Sequence, residues 1–284
     1  MNKEASKLPQ LDPAENNAFF PSAYSLKYYT KPISDLSDTE YFEPYTGRKK
    51  ILVVASDERY LSMDNGTLFS TGNHPIETLL PMIHLNAAGF DFDIATISGL
   101  MTKFEYWAMP WQDERVITFF EKYKNKFISP LQLKKTIKAV NDEEYAAIFI
   151  PGGHGALIGL PESEELAVLL RCAMKKNMFI LSICHGPAAF LSTRDGKNPL
   201  QGYSICAFPD NLDRETPKIG YMPGNLKWFF GEELEKSGIK IINRDIDGAV
   251  FKDRRVITGD SPLAANALGK LAALEMLAAF SGNN

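Results

Sequence analysis

Cysteine is scarce in this chain of 284 residues: it has three, Cys172, Cys184 and Cys206. Their odd number and their spacing suit neither a disulfide framework nor a zinc ribbon. That usage fits a reducing compartment and predicts a cytoplasmic protein. The four histidines, His74, His84, His154 and His185, never fall as H-x-H or H-x-x-x-H, so no metal set is legible. Charge is nearly balanced. With 31 basic and 35 acidic residues the net charge is −4, which predicts neither a stable nucleic-acid complex nor a membrane partner. No apolar run approaches the ~18 residues of a membrane-spanning helix, and the polar, proline-punctuated start reads as no signal peptide. A G-x-G-x-x-G after the first strand is missing, as is a G-x-x-x-x-G-K-[ST], which argues against a dinucleotide fold and a P-loop enzyme. No internal repeat is visible.

What is present is an alternation of short apolar runs and amphipathic stretches. Residues 51–55, 90–97, 145–150, 178–183, 203–208 and 239–242 read as strands. Helices are expected over about 76–85, 114–126, 130–140, 163–175, 226–237 and 261–280, with a hairpin at 249–258 before the last. Such alternation predicts an α/β, doubly wound, mostly parallel sheet, with its site at the carboxyl ends of the strands. Residues 1–48 form an extension carrying eight aromatics between Phe19 and Tyr45. That content predicts packing on the body or on a second subunit rather than a free tail. Residues 49–284 make the core, and an insertion at about 99–140, with the aromatic loop Phe104, Tyr106, Trp107 and Trp111, is expected to join the extension in a smaller second domain.

The stretch M-F-I-L-S-I-C-H-G-P-A-A-F at 178–190 organises the rest. It reads as a buried strand, a sharp turn with Cys184 at its apex, and a helix opened by Gly186-Pro187. That is the layout of a nucleophile elbow, and a helix N-terminus there would favour the thiolate. A plain core cysteine is the alternative, but an imidazole and a helix breaker directly after the strand shift the balance toward reactivity. Cys172 and Cys206 have no such surroundings and read as core. His185 is a candidate base for Cys184, or a histidine packed at a helix start. Neighbours on a strand point to opposite faces, so the pair needs an unusual, strained backbone at Cys184. Gly152, Gly153 and His154 end a strand, either as a donor turn for an oxyanion and substrate or as an ordinary tight turn. Glu77 lies in the first turn of a helix opened by His74-Pro75, where it complements the dipole or acts as acid and base beside the thiol. Asp210 and Asp213 either orient an imidazole or are solvated loop acids.

I-C-H-G-P-A-A at 183–189, N-H-P-I-E at 73–77 and P-G-G-H-G-A-L at 151–157 together resemble the ThiJ/PfpI superfamily. Within it, D-N-G at 64–66, L-M-T-K-F-E-Y-W-A-M-P at 100–110 and T-G-D-S-P at 258–262 resemble the bacterial HchA branch of heat-shock chaperones with glyoxalase III and deglycase activity. The likeness runs over almost the whole chain. It implies a flavodoxin-like core, a homodimer and no organic cofactor. It also implies a Cys184–His185–Asp213 triad with Glu77 as acidic partner of the thiol. The implied substrates are small 2-oxoaldehydes and glycated proteins or nucleotides, and the implied partners unfolded client proteins. Some members carry a metal on two histidines and a carboxylate. The matching positions here are Asn86, Asp91 and Tyr123, so no specific zinc is expected there.

Covalent catalysis is the reading that follows, with the thiol attacking an aldehyde carbon and an oxyanion held near Gly153 and His185. A holdase chaperone that does not use Cys184, the apolar surface of its aromatic-rich extension and Trp-rich loop offered to clients, is the rival from another class. A cysteine peptidase would use the same triad.

Overall fold

The computed structural model describes residues 5–280. Seven strands form the main sheet: β3 (Lys50–Val54), β6 (Phe92–Thr96), β7 (Leu131–Gln132), β8 (Tyr145–Ile150), β9 (Phe179–Ile183), β12 (Val250–Asp253) and β13 (Val256–Gly259). They lie in the order β12-β13-β9-β8-β3-β6-β7. All neighbours are parallel except the β12–β13 hairpin. The alternating apolar runs explain the layering, because successive side chains leave a strand on opposite faces. Ile51, Val53, Phe149 and Leu181 enter one apolar layer, and Leu52, Val54, Ile148 and Ile180 enter the other.

The first layer is closed by α2 (Pro75–Ala87), α3 (Glu114–Ile128) and α8 (Ala265–Phe280), the second by α4 (Leu133–Asn141), α5 (Glu164–Lys175) and α7 (Phe230–Lys236). Ser163 caps α5, accepting from the Leu166 N–H at 3.2 Å, as its residue type suggests. Helix α8 packs tightly on α2: a Cβ on Gly269 would lie 2.8 Å from the Pro81 Cα and from the His84 ring. The expectation of no long apolar run needs correction here. Residues Pro262–Phe280 are long and apolar enough to cross a membrane by length and composition, yet they serve as a core helix because Leu268, Ala272, Ala273 and Met276 are buried against the sheet and α2.

A second sheet is built from four short strands, β1 (Gln10–Leu11), β2 (Ala18–Phe20), β4 (Tyr60–Ser62) and β5 (Leu68–Ser70), in the order β1-β2-β5-β4. Two of its strands come from the N-terminal extension, and two from the stretch 56–73, where the sequence pattern suggests only loop. The extension also forms α1 (Ala23–Tyr29), capped by Ser22. The 99–140 segment supplies α3 and α4 to the faces of the main sheet and β7 to its edge.

Several boundaries differ from expectation after Cys184. The segment following the elbow, Gly186–Thr193, is a 3₁₀ turn rather than an α-helix. The strand expected over 203–208 shrinks to β10 (Ser204–Ile205), which pairs with β11 (Lys240–Ile241). The expected loop 209–224 contains α6 (Asp210–Asp213) and the 3₁₀ turn Thr216–Ile219. Periodicity cannot mark such short pieces, because tertiary packing and not a repeating apolar stripe sustains them.

Candidate active site

The carboxyl ends of β8, β9 and β13 meet at one edge of the sheet, in register through Ile150↔Ser182 and Gly259↔Ile183. Cys184 follows β9 with φ +59°, the left-handed region that a side chain enters only where its surroundings over-determine it, at a cost of roughly 1–3 kcal/mol. Its surroundings do so. The Cys184 N–H donates to the Gly259 carbonyl at 2.9 Å, and the Phe208 N–H donates to the Cys184 carbonyl at 3.0 Å. The turn also breaks the strand alternation, so that Ile183 and Cys184 both belong to the layer of α2 and α8. That solves the difficulty posed by adjacent cysteine and histidine: the Cys184 Sγ lies 3.3 Å from His185 Nδ1. Gly186 must be glycine at this point, because a Cβ would lie 2.5 Å from the Ile150 carbonyl oxygen.

His185 Nε2 donates to Asp213 Oδ2 at 2.9 Å, which leaves Nδ1 as the acceptor facing the thiol. The ring is held by stacking on Phe208, with centroids 4.8 Å apart. Asp213, brought in by α6, also binds His154 Nε2 through Oδ1 at 3.3 Å. Burial alone would raise its pKa, but the two imidazoles, His185 foremost, hold it well below the usual carboxylate range. Asp210 is occupied elsewhere, its carboxylate accepting from the Gly231 and Glu232 N–H groups at the start of α7, at 3.0 and 2.8 Å.

Glu77 enters from the first turn of α2 and is fully buried. Neither carboxylate oxygen meets a partner of good hydrogen-bond geometry among the described residues, and burial raises its pKa far above the ordinary value, against weaker pulls from the Cys184 thiol and the Gly153 N–H. Gly152 lies between these groups, for a Cβ there would strike the Glu77 carboxylate and come within 2.7 Å of Cys184 Cβ. Cys184 is only 4% exposed, and burial first, then Glu77, push the thiol pKa well up. This corrects the expectation of a thiolate favoured by a helix dipole: a short 3₁₀ turn offers little dipole, and a dry pocket with three acids disfavours another negative charge.

The third acid is Glu105, which lies in the stretch 100–110 that carries the resemblance but takes no role of its own from it. It is fully buried, accepts from Thr71 Oγ1 at 2.6 Å and from the His154 N–H at 3.4 Å, and has its pKa raised by burial. Its only signal was an acid inside the aromatic run F-E-Y-W at 104–107. The Gly152-Gly153-His154 turn thus serves the buried acids through its N–H groups, with its imidazole on Asp213. Asn73, before His74, ties the start of α2 to the segments after β3 and before Glu105: its Oδ1 accepts from the Ser56 N–H at 3.0 Å and its Nδ2 donates to the Lys103 carbonyl at 2.7 Å. Cys206 is buried, its pKa raised to about 11 by burial. Cys172 is half-buried rather than core, its thiol donating to Asn141 Oδ1 at 3.0 Å.

Ligand atoms of His154, His185 and Asp213 lie within 4.8 Å of one another, close enough to share a metal ion, although the same atoms already satisfy each other through Asp213. Asn86, Asp91 and Tyr123 also come together. Tyr123 donates to Asp91 Oδ1 at 2.9 Å and Asn86 Nδ2 donates to the Tyr123 oxygen at 3.1 Å. The ammonium groups of Lys122 and Lys126 reach Asn86 Oδ1 and Asp91 Oδ2 at 2.7 and 3.3 Å. An amide, a phenol whose pKa burial raises further and two ammonium groups do not fit a zinc ion.

The sequence model of the DJ-1/PfpI family matches residues 68–275. The protein/nucleic acid deglycase HchA of Escherichia coli O9:H4 (strain HS) is 66% identical over 283 residues, covering 99% of this chain and 100% of that protein. The protein of that name from Shigella boydii serotype 18 matches to the same extent. Among solved structures, Rapid Encystment Protein 24 KDa from Francisella tularensis aligns over 80% of this chain and 99% of its own, with TM-score 0.67 and 24% identity. Glyoxalase III from Candida albicans aligns over 83% and 99%, with TM-score 0.63 and 21% identity. At those identities the two structures share the fold.

Proposed function

The chain belongs to the DJ-1/PfpI family, and from that premise we propose that it is a glutathione-independent, cysteine-dependent enzyme acting on 2-oxoaldehydes and on early glycation adducts of proteins and nucleotides. The observation that carries this reading is Cys184, held at φ +59° with its sulfur 3.3 Å from an imidazole nitrogen whose partner is Asp213. It stands beside near-full-length likeness to deglycases.

The raised thiol pKa means that the proton leaves as the bond forms. His185 Nδ1 takes it, sulfur bonds to the aldehyde carbon, and the carbonyl electron pair moves to oxygen. Glu77, kept toward its neutral form by burial, protonates that oxygen and gives a hemithioacetal. The Glu77 carboxylate then removes the carbon-bound hydrogen while His185 protonates the neighbouring ketone oxygen, which produces an enediol. His185 takes the proton of the first hydroxyl and Glu77 protonates the second carbon, leaving a thioester. One carbon has been oxidised and its neighbour reduced, so no external redox partner is needed. After His185 returns its proton to Glu77, it activates water, the C–S bond breaks, and a 2-hydroxy acid leaves. On a glycated amine, sulfur attacks the carbinolamine carbon, the C–N bond breaks, and the amine departs with the proton held by His185. The site calls for no organic cofactor.

Beyond the chemistry, we propose a cytoplasmic homodimer that also holds unfolded clients. Supporting the last are exposed aromatics, among them Phe42 and the stacked pair Tyr106 and Trp111, 5.9 Å apart. The test of the catalytic reading is cofactor-free conversion of methylglyoxal to lactate. Cys184→Ser should lower kcat on the order of 10³-fold or more with an unchanged circular dichroism spectrum. Retained turnover would remove the nucleophile assignment.

A further inference from the structure

His74 stands beside this site and takes no part in the proton transfers of Cys184, His185 and Glu77. It is the N-cap residue of α2, yet its side chain makes no capping hydrogen bond. The residue is 5% exposed, and its buried Nδ1 meets no hydrogen-bond partner among the described residues. Leaving such a group unpaired is unfavourable, because it loses its hydrogen bond to water and gains none in return. His84, on the same helix, shows what a structural histidine looks like here: Tyr41 and Asn266 engage both its nitrogens, at 2.6 and 2.8 Å.

The position of His74 is specific. Its N–H donates to the Gly152 carbonyl at 2.9 Å, and a Cβ on Gly153 would lie 2.5 Å from the His74 nitrogen. A single residue, Gly152, therefore separates the His74 backbone from Cys184 and Glu77. Together with Ile76, Ala108 and Pro262, His74 borders a partly open cavity of about 60 Å³ that the extension also lines, at Lys31 and Asp35. Burial, then the neighbouring His154 and His185, hold the imidazole pKa down to about 3. It is neutral at working pH, with one donor and one acceptor nitrogen. A neutral imidazole can polarise a carbonyl without adding charge to a site that already holds three acids.

We propose that His74 binds the second oxygen of the 2-oxoaldehyde, the one on the carbon next to the attacked carbon. The inference rests on Cys184 being the nucleophile. During turnover that oxygen changes from carbonyl to hydroxyl, and an imidazole that both donates and accepts can serve either form.

Protection of Cys184 from alkylation, followed on its peptide by mass spectrometry, tests this without needing turnover. Methylglyoxal carries the second oxygen, while propanal offers an attackable carbon without it. His74→Phe should raise the methylglyoxal concentration for half-protection about tenfold, the loss of one hydrogen bond, and leave that of propanal unchanged. His74→Gln, which keeps an N–H donor, should stay near the wild type, and His74→Leu gives the same reading as Phe should the larger ring not fit. Equal weakening of both aldehydes, or unchanged methylglyoxal protection in the apolar variants, would overturn the role of His74 alone. If neither aldehyde protects the wild-type thiol, the nucleophile assignment fails and this inference with it.

Discussion

Cys184, Glu77 and Asp213 divide the electrostatics of the site between opposite shifts. Glu77 has its pKa raised on folding, so its favourable contribution to stability is complete below the unfolded value near 4.5 and is lost as pH rises through the folded one. Glu77→Gln cannot ionise. Its melting temperature relative to wild type should therefore climb from pH 4.5 toward pH 8, by a few degrees in all, since about 1 kcal/mol corresponds to ~2–4 °C at this size. Activity should fall in the same variant, a stability–function trade-off. Asp213 has the opposite sign. Its lowered pKa contributes stability above the unfolded value near 3.8, lost as pH falls. Asp213→Asn should thus be less stable than wild type at neutral pH, with the gap closing in acid. Thermal melts across pH check both, and a Glu77→Gln difference that is flat with pH would mean an ordinary carboxylate at position 77.

At the scale of elements, the N-terminal extension does more than cover the core. The turn after α6, which carries Asp213, is tied to the start of α1. Ser22 Oγ and Ser25 Oγ both donate to the Ile219 carbonyl, at 3.0 and 2.8 Å, and the Ser22 N–H donates to the Gly220 carbonyl at 2.8 Å. Gly220, with φ +68°, lies so close to the Lys7 carbonyl that no side chain fits there. The extension thereby holds the triad carboxylate from outside the sheet. Ser22→Ala removes the cap of α1 as well, worth about 1 kcal/mol. It should lower the melting temperature and reduce kcat severalfold, while alkylation of Cys184 in the free enzyme keeps its wild-type rate. An alkylation rate that fell along with kcat would show that the extension acts on the elbow instead.

For the whole molecule, the enclosed site and the exposed apolar surface are separate features, so catalysis and client holding should be separable. Cys184→Ser should suppress aggregation of a thermally unfolded client as well as the wild type does, while forming no lactate. Joint loss would tie client binding to the thiol. The proposed dimer is read from sedimentation velocity of the same two proteins.

Sequence alone determined the layered α/β plan, because apolar runs buried on both faces, punctuated by glycine and proline, have few other solutions. It also marked Cys184, His185, Gly152 and Glu77, because their positions at strand ends and a helix start follow from local pattern. Only the tertiary structure decided the protonation of the thiol, since desolvation depends on what the whole fold places around it. The resemblance pointed to Asp213 over Asp210, and the fold supplies the reason: Asp213 meets two imidazoles, while Asp210 meets the backbone at the start of α7. Glu105 and His74, present in motifs without a role of their own, gained a place at the site only when distant loops converged on the sheet edge. The strained backbone at Cys184, foreseen from the adjacency of thiol and imidazole, proves to be left-handed and is held by backbone bonds with Gly259 and Phe208, residues that no local pattern connects to it.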